Sequence, residues 1–255
     1  MLTTMPGTIL RRISRWFIAV GLAAAVAGAA GIAWAHPHAW VKSRSEVIFK
    51  HGAIVALRHT WIFDAYYTQG ATEGLDKNGD GTLSSAELAE LTKINIDGLK
   101  EFDYFTEASL GGHPVKFGTP TDASMKMAEV DNDDAPESGM MIINDSNGPA
   151  PAPQAKSKTG KQKLLTLSFT LPLAEPVPPH TKGFTFTVRD TSIFIWFELA
   201  TKSPVRLVGA PAGCTQTLGH PEMTPEQKRL QAAFGGGGDL TAMASPPNTV
   251  RLSCK

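Results

Sequence analysis

The stretch His38-AWVKSRSEVIFK-His51-Gly52-AIVALRHTW-Ile62-Phe63 decides the fold. It reads as two strands around His51-Gly52, because Gly52 can take the positive φ that a two-residue hairpin turn requires. The second arm, Ile54 to Phe63, is almost continuously apolar, so both of its faces are expected to be covered. With His51-Gly52 as the turn, Phe49 is expected opposite Ile54, His59 opposite Arg44, and Ala39 opposite Asp64. His59 shares parity with Val55, Leu57, Trp61 and Phe63, which predicts a packed core histidine.

Downstream the period changes. Asp64 to Lys100 is helical in pattern, interrupted from Asp76 to Glu87. Tyr104 to Phe117 predicts a hairpin turning at Gly111-Gly112, and Thr119 to Val130 a strand. Asp131 to Lys163 is acidic, then rich in Asn, Gly, Pro, Ala, Ser and Lys, so it is expected to be a disordered insertion in a loop. Leu164 to Leu171, Phe184 to Arg189, Ser192 to Leu199, Val205 to Val208 and Thr249 to Cys254 read as strands. A helix is predicted from Pro225 to Phe234, with Thr224 as N-cap and Gly235 to Gly238 as its stop. Strands on both sides of one helical segment predict an α+β fold: an antiparallel β-rich body with an inserted EF-hand-like helix–loop–helix at 64–100.

Upstream, Arg11, Arg12 and Arg15 precede an apolar run from Trp16 to Ile32 that ends in Ala33-Trp34-Ala35. A basic start, an apolar middle and a small-x-small end make a signal peptide cleaved after Ala35, so the mature chain is expected in the periplasm as one domain, 36–255. The alternative is an uncleaved anchor, but the run is near the lower length limit for a membrane span. The whole chain carries 24 basic and 24 acidic residues. Loss of the three arginines leaves a slightly acidic protein with no electrostatic reason to bind nucleic acid. The two cysteines, Cys214 and Cys254, are expected to pair in an oxidising compartment.

Asp76-Lys-Asn78-Gly-Asp80-Gly81-Thr82-Leu83-Ser84-Ser-Ala-Glu87 matches a twelve-residue calcium loop. Asp76, Asn78 and Asp80 place oxygens at positions 1, 3 and 5. Gly81 makes the turn at 6, Thr82 offers a carbonyl at 7, Ser84 acts through water at 9, and Glu87 gives a bidentate carboxylate at 12. Outside the cytosol even a weak site, on the order of 10⁻⁴–10⁻³ M, can fill. A structural staple is expected rather than a sensor.

Cleavage after Ala35 would make His36 the terminus. Its α-amine and imidazole can then chelate a metal, with His38 adding a second imidazole. Such nitrogen donors suit zinc, copper, nickel or cobalt. Pro37 has no N–H, so ligation by successive deprotonated amides is blocked. Asp64 or Asp190 is expected to complete or orient this site. The alternative is a loose terminus with two exposed histidines.

Several segments together resemble a known family. They are His36-Pro-His-Ala-Trp40, His59-Thr-Trp-Ile-Phe-Asp64, the loop from Asp76 to Glu87, Phe117-Gly-Thr-Pro-Thr-Asp122, Leu167-Ser-Phe-Thr-Leu-Pro172, Arg189-Asp190-Thr191 and Gly209-Ala-Pro-Ala-Gly-Cys214. The chain is similar to a domain-of-unknown-function family of bacterial periplasmic proteins, described as the periplasmic component of an uncharacterised ABC-type transport system and linked to nickel/cobalt-type permeases. The family's usual Tyr-Asp-Pro stands here as Arg189-Asp190-Thr191. The resemblance implies metal transport.

These readings converge on a periplasmic metal-binding accessory of a divalent-cation transporter, with an inner-membrane metal permease as partner. Calcium and a divalent transition metal are the expected cofactors. A copper-dependent oxidative enzyme built on the terminal chelate is an alternative. It is disfavoured because the sequence holds no nucleophile–base constellation, HExxH, GxSxG or P-loop. A calcium-stabilised interaction module without transition metal is the third reading.

Overall fold

The computed structural model describes residues 39–136, 158–178, 182–190, 195–219 and 248–254. The predicted helix at Pro225–Phe234 and both terminal histidines, His36 and His38, lie outside these residues.

The opening hairpin forms from β1 (Ala39–Lys50) and β2 (Ala53–Phe63). Both turn residues are left-handed, His51 at φ 51° and Gly52 at φ 80°, the geometry that matches the twist of two strands joined by two residues. Lys50 pairs with Ala53 and Phe49 with Ile54, as expected, but Ile48 then pairs with Ala56. Val55 is therefore an extra residue, a β-bulge, and the ladder beyond it is displaced by one. The expected pairing of His59 with Arg44 is corrected: His59 faces Ser45, and Arg44 faces Thr60. The bulge also switches parity. Ile54 is buried before it, and Leu57, His59, Trp61 and Phe63 after it, so apolar residues of both parities reach the core.

Among the described residues, nine further strands follow the helical segment and one short 3₁₀ stretch (Lys100–Phe105): β3 (Thr106–Leu110), β4 (His113–Val115), β5 (Thr121–Asp131), β6 (Lys161–Val177), β7 (Phe184–Val188), β8 (Ile195–Leu199), β9 (Val205–Val208), β10 (Thr215–Gly219) and β11 (Thr249–Ser253). One sheet runs β5-β6-β2-β1-β8, with β9 also paired to β1. The other runs β10-β11-β7-β3-β4 and is antiparallel throughout. In the first sheet β8 and β9 lie parallel to β1. The body is thus β-rich, as expected, with one antiparallel sheet and one sheet that is antiparallel except at these two strands.

The core lies between the sheets. Trp61, Phe169 and Leu167 of the first sheet and Phe184, Phe186 and Val250 of the second are all fully buried in one cluster. Trp61 meets Phe169 edge-on at 5.0 Å and Phe197 at 4.9 Å between ring centroids, an arrangement aromatic quadrupoles favour. The ends of the 131–163 segment are ordered: Asp131 closes β5, and Lys161 to Lys163 open β6. Asp134, 2% exposed, accepts from the Thr201 backbone N–H at 2.7 Å and pairs with the Arg44 guanidinium. Residues 137–157 lie outside the described residues.

Candidate metal sites

The helical insertion begins at Asp64. Its backbone is extended (φ −63°, ψ 166°), and its side chain caps α1 (Ala65–Thr72) by accepting from the Tyr67 N–H, which satisfies one of the unpaired donors of the first turn. The two oxygens divide the work: Oδ1 takes the Tyr67 N–H at 2.9 Å and Oδ2 the Trp40 N–H at 2.8 Å. The Asp64 N–H also donates to the Trp40 carbonyl at 3.0 Å. The bulge therefore brings Asp64 to Trp40 rather than to the predicted Ala39, and the carboxylate is fully buried.

Asp190 reaches the same end of β1 from the other side. Its Oδ2 accepts from the Ile195 N–H at 2.9 Å, and Ile195 is the residue of β8 opposite Ala39. The neighbouring Arg189 holds Glu107 with two hydrogen bonds, 3.1 and 2.6 Å. Both predicted carboxylates thus border the first residues of β1, one through β2 and one through β8.

The helix–loop–helix is present. The second helix, α2 (Ala89–Leu99), follows the loop, and Leu83 and Leu88 pack towards the core while the acidic side chains stay outside. Two hydroxyl threonines fasten the pair to the first sheet. Thr68 Oγ1 accepts from the Leu165 N–H at 3.1 Å, and Thr92 Oγ1 from the Met125 N–H at 3.2 Å.

The loop's acids are folded onto its own amides. Asp76 accepts from the Gly79 and Gly81 N–H groups at 2.8 and 2.9 Å, which the left-handed Gly81 at φ 77° makes possible. Asn78 Oδ1 accepts from the Asp80 N–H at 2.9 Å, and Asp80 Oδ1 from the Thr82 N–H at 2.8 Å and hydroxyl at 2.7 Å. Glu87 closes the loop: Oε1 takes the Lys77 N–H at 3.0 Å, and Oε2 the Ser84 N–H at 2.9 Å and hydroxyl at 2.7 Å. The hydrogen bonds hold two carboxyls below their ordinary range, Asp80 chiefly through the Thr82 hydroxyl and Glu87 chiefly through that of Ser84. Ionised oxygen donors of this kind suit a hard cation such as calcium. No three His, Cys, Asp or Glu side chains are grouped as a metal ion would require among the described residues.

His59 is the core histidine its parity predicted. It is fully buried against Phe169, Phe186 and Trp61, with Ser45 Oγ 2.9 Å from Nδ1 and Thr106 Oγ1 3.4 Å from Nε2. Burial drives its pKa down to about 3. The two cysteines are joined, Cys214 to Cys254, with an S–S bond of 2.04 Å. The bridge fastens the start of β10 to the end of β11, the two strands it flanks.

No curated protein matches the chain, and no solved structure does. The family model described as "Protein of unknown function (DUF1007)" matches residues 21–254, and the chain belongs to that family.

Proposed function

We propose that this chain works in the periplasm as a metal-binding accessory protein of a divalent-cation transport system of the nickel, cobalt, zinc or copper type, partnered by an inner-membrane permease. The observation that supports the reading is that Asp64 and Asp190 both border the head of β1, Asp64 through the Trp40 N–H and Asp190 through Ile195, the partner of Ala39. His38 is one residue from Ala39 and two from Trp40, so a chelate of the His36 amine and imidazole with the His38 imidazole would enter the fold beside two buried or half-buried carboxylates. Either acid would orient an imidazole or add an oxygen donor. The disulfide supports an oxidising compartment. The Asp76–Glu87 loop, holding calcium in the manner of an EF-hand, would staple α1 and α2 to the first sheet.

Titration of zinc, copper, nickel and cobalt into protein cleaved after Ala35 tests this. An extra residue ahead of His36 moves the amine off the chelate and should weaken binding, as should His38→Ala. Equal binding of all four metals by the native and the extended terminus rejects the chelate. A calcium-stabilised interaction module is the second reading, favoured by the exposed apolar side chains of Tyr66, Ile94 and Phe102 on the helical insertion and the 3₁₀ stretch after it.

A further inference from the structure

We propose that a polar cleft at the edge of the second sheet binds a neutral saccharide. Its origin is a change of sheet. β4 pairs only with Ala108, Ser109 and Leu110 of β3. The chain then leaves for β6: the Ala174 N–H donates to the Lys116 carbonyl at 2.8 Å, Phe117 bridges Leu173, and the Gly118 N–H donates to the Pro172 carbonyl at 2.8 Å. Beside the uncovered first half of β3 lies an open cleft of about 680 Å³, within the range of small-molecule sites.

One wall is strained. Asp103, Tyr104 and Phe105 are consecutive non-glycine residues at φ 49°, 55° and 47°. Side-chain-bearing residues keep such a conformation only where their surroundings over-determine it, as at binding sites. Here the Thr106 N–H bonds the Asp103 carbonyl, the Thr106 hydroxyl donates to the Tyr104 carbonyl at 2.9 Å, and the Arg189 N–H donates to the Phe105 carbonyl at 2.9 Å. Behind Thr106 stands His59. A single direction satisfies the whole chain of bonds: Ser45 hydroxyl to Nδ1, Nε2–H to the Thr106 hydroxyl, and that hydroxyl to the Tyr104 carbonyl. The core therefore sets the shape of the wall.

The lining selects the ligand. Ser109 and Thr185 present a hydroxyl pair 2.8 Å apart, next to Thr187, and hydroxyls both donate and accept, as a polyol needs. Tyr104 and Phe117 supply aromatic surface for the apolar face of a sugar ring. Charge is balanced: Glu107 is paired with Arg189, and Asp103 and Lys116 contribute one of each sign. An extended peptide added as a strand is a poorer occupant, because Pro114 on the edge strand offers no N–H.

Amide chemical shifts of the mature protein, followed during titration with maltotriose, cellotriose and chitotriose, test the proposal. At least one trisaccharide should shift Tyr104, Ser109 and Thr185 saturably. Thr185→Val keeps a β-branched residue but removes the hydroxyl, and should weaken that binding about tenfold with the fold retained, read as unchanged amide shifts away from the cleft. Tyr104→Leu should weaken it as well. Silence from all three sugars overturns the proposal. So does an affinity that Thr185→Val leaves unchanged, or trialanine binding the cleft in place of the sugars.

Discussion

His59 and Ser45 face each other across the β1–β2 ladder, Nδ1 to Oγ 2.9 Å, in the middle of the apolar core. The register that makes them partners exists only because Val55 is bulged out of the pairing. A neutral imidazole with a partner near each nitrogen is tolerated there, whereas a charged one would be desolvated at high cost.

That burial predicts acid sensitivity. The pKa of His59 falls from 6.5 when solvated to about 3 in the fold, so the unfolded chain binds the proton first. The stabilising contribution is fully present above pH 6.5 and is lost as pH falls towards 3, at about 1 kcal/mol per pH unit. Urea unfolding between pH 7 and pH 5, above the range where carboxylates titrate, should show this slope. His59→Gln should be less stable at pH 7 but flatter with pH. An unchanged slope in the variant would reject the assignment.

Asp64 predicts a two-ended loss. Asp64→Ala removes the acceptor for both Tyr67 and Trp40 amides, and loss of the cap together with a buried unpaired donor should cost about 2–4 kcal/mol. Asp64→Asn keeps one carbonyl oxygen and should cost less. Hydrogen exchange at Trp40 and Tyr67 reads the two ends separately; protection of both amides in the alanine variant would contradict the geometry.

Calcium should raise the melting temperature, because it would bind the folded loop and not the unfolded chain. Glu87→Gln should reduce that shift by removing the charged bidentate ligand and one of the two oxygens that accept from Lys77 and Ser84. Calorimetry in millimolar calcium and in chelator decides it, and identical melting in both would mean that the loop takes no calcium or is uncoupled from folding.

Cys214 and Cys254 are 40 residues apart. In the chain-entropy account, closing a loop of that size stabilises by about 4 kcal/mol. Denaturant unfolding with and without reductant should differ by an amount of this order. Thiol labelling of unfolded, unreduced protein should find no free thiol, and any labelling would contradict the bond.

The local devices were legible because each is written in a short pattern. Gly52 and Gly111-Gly112 mark turns that need positive φ. The change of period after Asp64 marks the helical insertion, and the parity of His59 marks its place in the core. These depend on a residue and its near neighbours, and the structure bears them out. The candidate site was legible only as a set of residue types. Asp64 and Asp190 stand out as acids beside apolar strands, but nothing near either one says where its strand will lie.

The sequence by itself determined the β-rich class, the opening hairpin, the helix–loop–helix and the cysteines available for the bridge. Tertiary structure decided the one-residue slip at Val55, the parallel seating of β8 and β9 on β1, and the β10 strand on β11. It also decided the cleft at the edge of β3. The reason is physical. Turn and period signals act over a few residues through sterics and amphipathicity. Partner choice among strands of the same alternation is settled by which arrangement buries Trp61, Phe169 and Phe197 together. That packing of β1 between β2 and β8 brings Asp64 and Asp190 to the head of one strand.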